Sequence, residues 1–122
     1  LDKVNTAVKE IPGNIVYLDK STKHMYELNN KVRLVDVSEY LLDSTDAFIG
    51  FVTGIISQDH DLQQMYFDSF LKIARLEGTD ITAAIAKFED ISNRFKVDFV
   101  LSVSLDEAEL PEAIRSKIII SL

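Results

Sequence analysis

The uncharged stretch AFIGFVTGIISQ, residues 47–58, decides the fold that this sequence predicts. It lies between Asp46 and Asp59 and is too apolar for a helix on the protein surface. It is also too short for a membrane-spanning helix, which needs about 20 apolar residues. A helix that is apolar on all sides is buried in a core. The stretch therefore predicts a buried helix around which a small soluble domain is built.

Three short runs before this helix are predicted to be β-strands. They cover residues 14–18, 24–28 and 31–37, after a first helix over residues 1–11 that Pro12 and Gly13 end. Asn29 and Asn30 tolerate the positive φ angles of a tight hairpin turn. The three runs therefore predict an antiparallel meander.

Two further helices are predicted after the buried one. Residues 62–76 place apolar side chains in two stripes, and Gly78 is a typical stop signal for that helix. Residues 79–95 have apolar side chains on a single face. We expect the three central helices to pack together on one face of the sheet.

The C-terminal third is predicted to return to the sheet. Residues 97–105 alternate between apolar and polar side chains, which is typical of a strand. A short helix is expected over residues 110–117, and residues 118–122 fit either a strand or the end of that helix. The predicted fold is a single α+β domain over residues 1–122, in which the 97–105 strand joins the meander in an antiparallel sheet.

Composition limits the kinds of partner that we expect. The chain carries 20 acidic and 13 basic residues, so its net charge is −7. A negative field repels nucleic-acid phosphates and anionic lipid surfaces, so we expect neither as a partner. It favours a basic protein partner, or it serves only solubility. The absence of cysteine excludes disulfides and favours a reducing cytoplasm.

Two surfaces are candidates for binding a partner. An acidic run near the C-terminus could bind a basic protein, although acidic residues are also favoured at a helix N-terminus; its members are Asp106, Glu107, Glu109 and Glu112. The second stripe of the predicted 62–76 helix contains Phe67 and Leu71, and it could form the face of a homodimer.

Gly50 and Gly54 lie one turn apart on the predicted buried helix. Glycine costs up to about 1 kcal/mol in a helix interior, so its presence indicates that another backbone approaches closely. That neighbour is either another part of this chain or a ligand or partner helix. We predict a close-packing face at these two glycines.

The Asp59-His60-Asp61 segment is the densest polar cluster near the predicted core. Imidazole and carboxylate groups are metal ligands, so a metal or small-molecule site is one interpretation. Adjacent residues on a helix point about 100° apart, however, and a site would need a distant group such as His24 or Asp43. The alternative is a polar joint between two helices, in which an aspartate caps the second one.

Basic and aromatic residues also alternate in the predicted hairpin, a pattern found in single-strand nucleic-acid binders. The residues are Tyr17, Lys20, Lys23, Tyr26, Lys31 and Arg33. Four basic charges without a longer stripe favour a solvated strand face instead.

The sequence contains no phosphate-binding glycine loop, nucleophile elbow, helical histidine pair or calcium loop. We therefore expect a non-enzymatic domain without a cofactor or metal. The function predicted is a protein-binding module, of the inhibitor, immunity, chaperone or adaptor type, that masks a basic partner. A self-associating structural or regulatory domain is the alternative.

Overall fold

The computed structural model describes residues 2–76, 81–102 and 118–121, and these form a five-stranded sheet with helices on both faces. All strand pairs are parallel, and the strand order is β2-β1-β3-β4-β5. In chain order the elements are α1 (Asp2–Glu10), β1 (Asn14–Asp19), β2 (Arg33–Asp36), α2 (Thr45–Ser57), β3 (Leu62–Phe67), α3 (Phe70–Ile73), α4 (Thr82–Phe95), β4 (Asp98–Ser102) and β5 (Ile118–Ser121). A short 3-10 turn, Val37–Glu39, follows β2.

The prediction of an antiparallel sheet was wrong, and the burial of β1 shows why. Every residue of β1 after Asn14 is buried, so this strand has protein on both of its faces. Strands buried on both faces are typical of parallel sheets, because the crossover connections cover both sides. The uninterrupted apolar run in β1 is the signature of such a strand, whereas a meander strand has one solvated face.

The helix predicted over residues 62–76 was also wrong. The first six of these residues form β3, which lies in the sheet between β1 and β4. Ser69 then adopts a left-handed backbone with φ of 54°, and only the four residues of α3 are helical. An apolar run of this length fits a strand or a helix equally well. Pairing with β1 on one side and β4 on the other stabilises the strand.

Residues 24–28 do not form the predicted second strand. They lie in a series of turns, in which the amides of Glu27 and Leu28 donate to the His24 carbonyl. Asn29 does form a turn, since its carbonyl accepts from the Val32 amide at 2.9 Å. That turn leads into a parallel strand, so the hairpin prediction at Asn29-Asn30 was wrong.

Several local predictions are confirmed. The stretch at residues 47–58 lies almost entirely within α2, and the Ser44 side chain caps this helix by accepting from the Ala47 amide. The helix is buried on one face only, however, because Gly50, Gly54 and Ser57 are exposed. The first helix, the helix that ends at Phe95 and the strand that follows it are present. Residues 118–121 form a strand. The predicted strand end at 103–105 and the predicted helix at 110–117 lie outside the described residues.

The core is divided by the sheet into two apolar layers. On one face, residues from α2, α3 and α4 pack against Val16, Met65 and Phe99 of the three central strands. On the other face, Val4 of α1 and Leu28 of the connection between β1 and β2 cover the sheet. The prediction that three central helices gather on one face therefore holds for α2 and α4, whereas the third predicted helix, over residues 62–76, contributes only the short α3 to that face.

Phe67 is the centre of an aromatic cluster within the first layer. Its ring lies 5.1–6.1 Å, centroid to centroid, from the rings of Phe48, Phe70, Phe88 and Phe99. These edge-to-face arrangements add to the stabilisation from burial. The longest helix in the described part of the chain has 14 residues, and none there is long and apolar enough to cross a membrane.

Gly13 lies where the chain enters β1 beside the start of β3. A Cβ at this position would collide with the Asp61 carbonyl oxygen and lie 2.5 Å from Gln63 Cγ. At Gly50, by contrast, a Cβ would meet no described atom within 4 Å apart from the adjacent backbone of its own helix and its chain neighbours.

We expect Gly13→Ala to lower the free energy of unfolding by about 1–3 kcal/mol, because the Asp61 backbone has to move. Gly50→Ala is the matched control, and it should raise stability by up to about 1 kcal/mol through helix propensity. Urea unfolding measures both. Equal effects of the two substitutions would contradict the close approach at Gly13.

Candidate functional site

Polar side chains occupy the carboxyl ends of adjacent strands. Asp19 ends β1 and is in register with Asp36, which ends β2. Asp68 directly follows β3, and its amide donates to the Leu18 carbonyl at 2.8 Å. Ser102 ends β4. Because the strands are parallel, these residues form one row across the carboxyl ends of the strands, and these ends make up one edge of the sheet.

The strand order places a switch point between β1 and β3. The chain leaves β1 to form β2 on one side, and it adds β3, β4 and β5 on the other. In open parallel sheets, ligands bind outside the carboxyl ends of the strands at such a point. Asp19 and Asp68 flank the switch point, so this edge is the candidate site.

Asp19 is the only charged side chain among the described residues that is fully buried, with 1% of its surface exposed. Its Oδ1 accepts a 2.7 Å hydrogen bond from the Lys20 amide. Its Oδ2 lies 2.8 Å from His24 Nδ1. A buried carboxylate is costly unless it is paired and hydrogen-bonded, and these two contacts provide that compensation.

Asp68 is 23% exposed and faces the same space. Its Oδ2 accepts a 2.6 Å hydrogen bond from the Tyr17 hydroxyl and lies 3.7 Å from His24 Nδ1. Burial, followed by the hydrogen bond to Asp68 and its negative charge, raises the pKa of Tyr17 far above its usual value. Tyr17 therefore stays a proton donor that orients the Asp68 carboxylate.

His24 comes from the turns between β1 and β2, and α1 fixes their position. The side chain of Asn5 in α1 donates to the Glu27 carbonyl at 2.8 Å and accepts from the Asn29 amide at 2.7 Å. Leu28 anchors the same segment in the second apolar layer. His24 is 21% exposed, so its ring is packed on one side and open to solvent on the other.

Three groups from distant parts of the sequence thus converge at the switch point. One ligand-type atom from each of Asp19, His24 and Asp68 lies within 4.8 Å of the other two. Two carboxylates and an imidazole can share a proton among themselves, or they can hold a divalent metal ion.

Lys20 and Ser69 border this group on its solvent side. The Lys20 ammonium donates to Ser69 Oγ at 3.3 Å, and Ser69 Oγ donates to Asp68 Oδ1 at 3.3 Å. Lys20 is exposed and follows β1, whereas Ser69 is half-buried and follows β3. A positive charge and a hydroxyl therefore lie beside the two carboxylates.

The Asp59-His60-Asp61 segment lies at the opposite edge, before β3 begins. Asp59 has a structural role, because both of its carboxylate oxygens accept from Asn14 Nδ2 and one accepts from the Asp61 amide. The predicted alternative of a polar joint is close to this arrangement, although the joint connects α2 to a strand. His24, a distant group that a site at Asp59-His60-Asp61 would need, lies instead with Asp19 and Asp68 at the other edge.

The other predicted site residues do not meet at this edge. Phe67 and Leu71 are buried in the first apolar layer, so the exposed stripe expected on a 62–76 helix is not formed. Gly50 and Gly54 are exposed, and apart from the adjacent helix backbone and chain neighbours no described atom lies within 4 Å of a Cβ built there. Packing within the described chain therefore does not explain these glycines. The acidic run at Asp106, Glu107, Glu109 and Glu112 lies outside the described residues.

The sequence contains a pattern that indicates which residues meet at the carboxyl ends of the strands. Three apolar runs each end in an aspartate: VYLD at Asp19, LVD at Asp36 and MYFD at Asp68. Read as parallel strands, these runs place their aspartates together. The predicted antiparallel meander and the predicted helix over residues 62–76 do not bring these aspartates to the same place.

The Tyr17 contact with Asp68 gives a testable pH dependence. The pKa of Tyr17 is higher in the folded than in the unfolded chain, so the unfolded chain loses this proton first, near pH 10. The contribution of the protonated Tyr17 hydroxyl to the free energy of unfolding is fully present below about pH 10 and is lost as the pH rises further.

We expect Tyr17→Phe to cost about 1.5–3 kcal/mol at pH 7, the value of one hydrogen bond to a charged group. The variant should also lose less stability between about pH 10 and 11 than the unmodified protein. Tyr66 remains and also has a raised pKa, so the loss is reduced rather than abolished. Urea unfolding at a series of pH values measures the free energy of unfolding of both proteins. An equal loss of this free energy above about pH 10 in the variant and the unmodified protein would refute the prediction.

No family model, no curated protein and no solved structure matches this chain.

Proposed function

We propose that this chain is a metal-dependent ligand-binding domain, in which Asp19, His24 and Asp68 hold a divalent transition-metal ion. The observation that carries the proposal is the buried Asp19 carboxylate at the switch point, which faces a second carboxylate and an imidazole. A domain that needed only an apolar core would gain more stability from an apolar side chain at this position.

The distances support metal ligation. Ligands bonded to one ion at about 2.0–2.2 Å, at tetrahedral or octahedral angles, lie about 3–3.6 Å from each other. His24 Nδ1 is 2.8 Å from Asp19 Oδ2 and 3.7 Å from Asp68 Oδ2. Both separations from His24 Nδ1 are therefore close to those of a coordinated ion, and the two carboxylates offer oxygens within 4.8 Å of each other.

The donor set indicates which ions fit. Ca²⁺ takes six to eight oxygen ligands, and Mg²⁺ prefers carboxylates, phosphates and water. One imidazole nitrogen with two carboxylates suits Mn²⁺, Fe²⁺, Co²⁺ or Zn²⁺. The two aspartates also balance the charge of a divalent ion, while the Tyr17 hydroxyl orients Asp68 by donating to its Oδ2.

Three protein ligands leave at least one coordination position open. Closed structural sites use four protein ligands, whereas sites that exchange water for another ligand use three. Asp68 and His24 are both partly exposed, so the open position faces solvent. The site therefore suits a metal ion that presents a further ligand.

The test compares the two histidines of the chain. Mn²⁺ and Zn²⁺ binding is measured by calorimetry and by the rise in unfolding temperature. We expect His24→Gln, Asp19→Asn and Asp68→Asn each to weaken binding by about tenfold or more. His60→Gln and Asp61→Asn are the matched controls at the opposite edge, and they should bind like the unmodified protein.

Circular dichroism of each metal-free variant establishes that it is folded before the titration. The proposal fails if neither ion stabilises the unmodified protein. It fails equally if His60→Gln weakens binding as much as His24→Gln does.

A protein-binding module acting in the cytoplasm is a second proposal, and one surface observation favours it. Leu41 is 98% exposed, and its neighbour Tyr40 is 49% exposed. Exposed Glu39 and Asp43 flank this pair, so the segment combines apolar and acidic groups. Such a surface suits a basic peptide that also carries apolar residues.

The probe for this second proposal is a labelled peptide of lysine and leucine residues, followed by fluorescence anisotropy. We expect Leu41→Ser to weaken its binding several-fold, and Met25→Ser, which alters an apolar side chain exposed elsewhere, to leave it unchanged. Binding should also weaken as the salt concentration rises. Equal binding by both variants would exclude this segment as the binding surface.

A further inference from the structure

The Lys20 side chain crosses the switch point without pairing with either aspartate. Its ammonium reaches Ser69 Oγ at 3.3 Å, 49 residues away in the sequence. Among the described residues, no carboxylate lies within 4.0 Å of the ammonium. Only the backbone amide of Lys20 contacts Asp19. The positive charge is therefore available to a ligand.

Ser69 holds its hydroxyl between this ammonium and the carboxylate of Asp68. The hydroxyl accepts from Lys20 and donates to Asp68 Oδ1. Lys20, Ser69 and the three metal-binding side chains thus form one continuous polar group. A ligand at the open metal position would lie next to both the ammonium and the hydroxyl.

The charges around this position indicate an anion. Asp19, Asp68 and a divalent ion cancel, and Lys20 then places one positive charge beside the open position, whereas the Asp36 carboxylate at the same edge accepts from the Ser38 amide and hydroxyl. The chain as a whole carries a net charge of −7, so an anion gains nothing from the overall field. Recognition therefore depends on these local groups.

Among anions, a phosphate group suits the site best. Metal ion, ammonium and hydroxyl are three separate groups, and phosphate offers three oxygens that can contact them individually. A carboxylate has only two oxygens. Lysine also binds phosphate as a point charge at many protein sites.

We propose that the metal-loaded site binds a phosphate group, with Lys20 and Ser69 contacting oxygens that the metal ion does not bind. This inference rests on the proposed metal site and adds the chemical class of its ligand. Free phosphate and a phosphate monoester share the required chemistry.

The experiment measures metal and phosphate separately. Electron paramagnetic resonance of free Mn²⁺ gives the metal affinity. Calorimetry of the Mn²⁺-loaded protein gives the affinity for inorganic phosphate in one arm and for phenyl phosphate in the other. Tighter binding of phenyl phosphate identifies a monoester as the ligand, and tighter binding of phosphate identifies the free anion; either supports the inference.

Lys20→Met is the decisive variant, and Lys23→Met is its matched control. Lys23 is exposed three residues further on, and its backbone amide donates to Ser21 Oγ. We expect Lys20→Met to weaken phosphate binding about tenfold or more, as for the loss of one charge-assisted hydrogen bond. Its Mn²⁺ affinity should be equal or higher, because a neighbouring positive charge is removed. Lys23→Met should change neither affinity.

Two results would overturn the inference while leaving the metal site intact. One is Mn²⁺ binding by the unmodified protein without binding of either phosphate compound. The other is an unchanged phosphate affinity in Lys20→Met. Failure of the unmodified protein to bind Mn²⁺, seen directly in the resonance signal, would instead refute the proposed function on which the inference rests.

Discussion

The burial of β3 on both faces is the constraint on which the rest of the structure depends. Phe67 and Met65 point into the layer formed with α2–α4, and Tyr66 points into the layer beneath α1. A strand with apolar side chains on both faces needs a covering layer on each side of the sheet. Parallel strands joined by crossovers provide both layers. The central position of β3, between β1 and β4, follows from that requirement.

The same arrangement brings the polar ends of the strands together. Parallel strands finish at one edge, so Asp19 and Asp68 become neighbours although 49 positions separate them in the sequence. Tyr17 and Tyr66 lie side by side, each two residues before its aspartate, with ring centroids 6.1 Å apart. The apolar core therefore ends where the polar group begins. The cost of burying Asp19 is offset by His24, which the turns after β1 carry back over the sheet.

The local sequence pattern predicted secondary structure correctly where it was compatible with only one type of element. The uncharged 47–58 stretch predicted α2, and the single apolar face of the helix ending at Phe95 predicted α4. The pattern at residues 62–67 was ambiguous, since apolar residues at mixed spacing fit a strand or a helix. The candidate site was missed for the same reason. Without β3 as a strand, Asp68 has no place beside Asp19.

By itself, the sequence determined the amphipathic helices, the apolar runs and the breaks between them, because these depend on residues close together in the chain. It also placed an aspartate at the end of three of those runs. Only the tertiary structure decided that the strands are parallel and that β3 is a strand. It alone brought His24, Asp19 and Asp68 together. The physical reason is that strand pairing and two-sided burial are long-range interactions, whose energies depend on partners that local spacing does not specify.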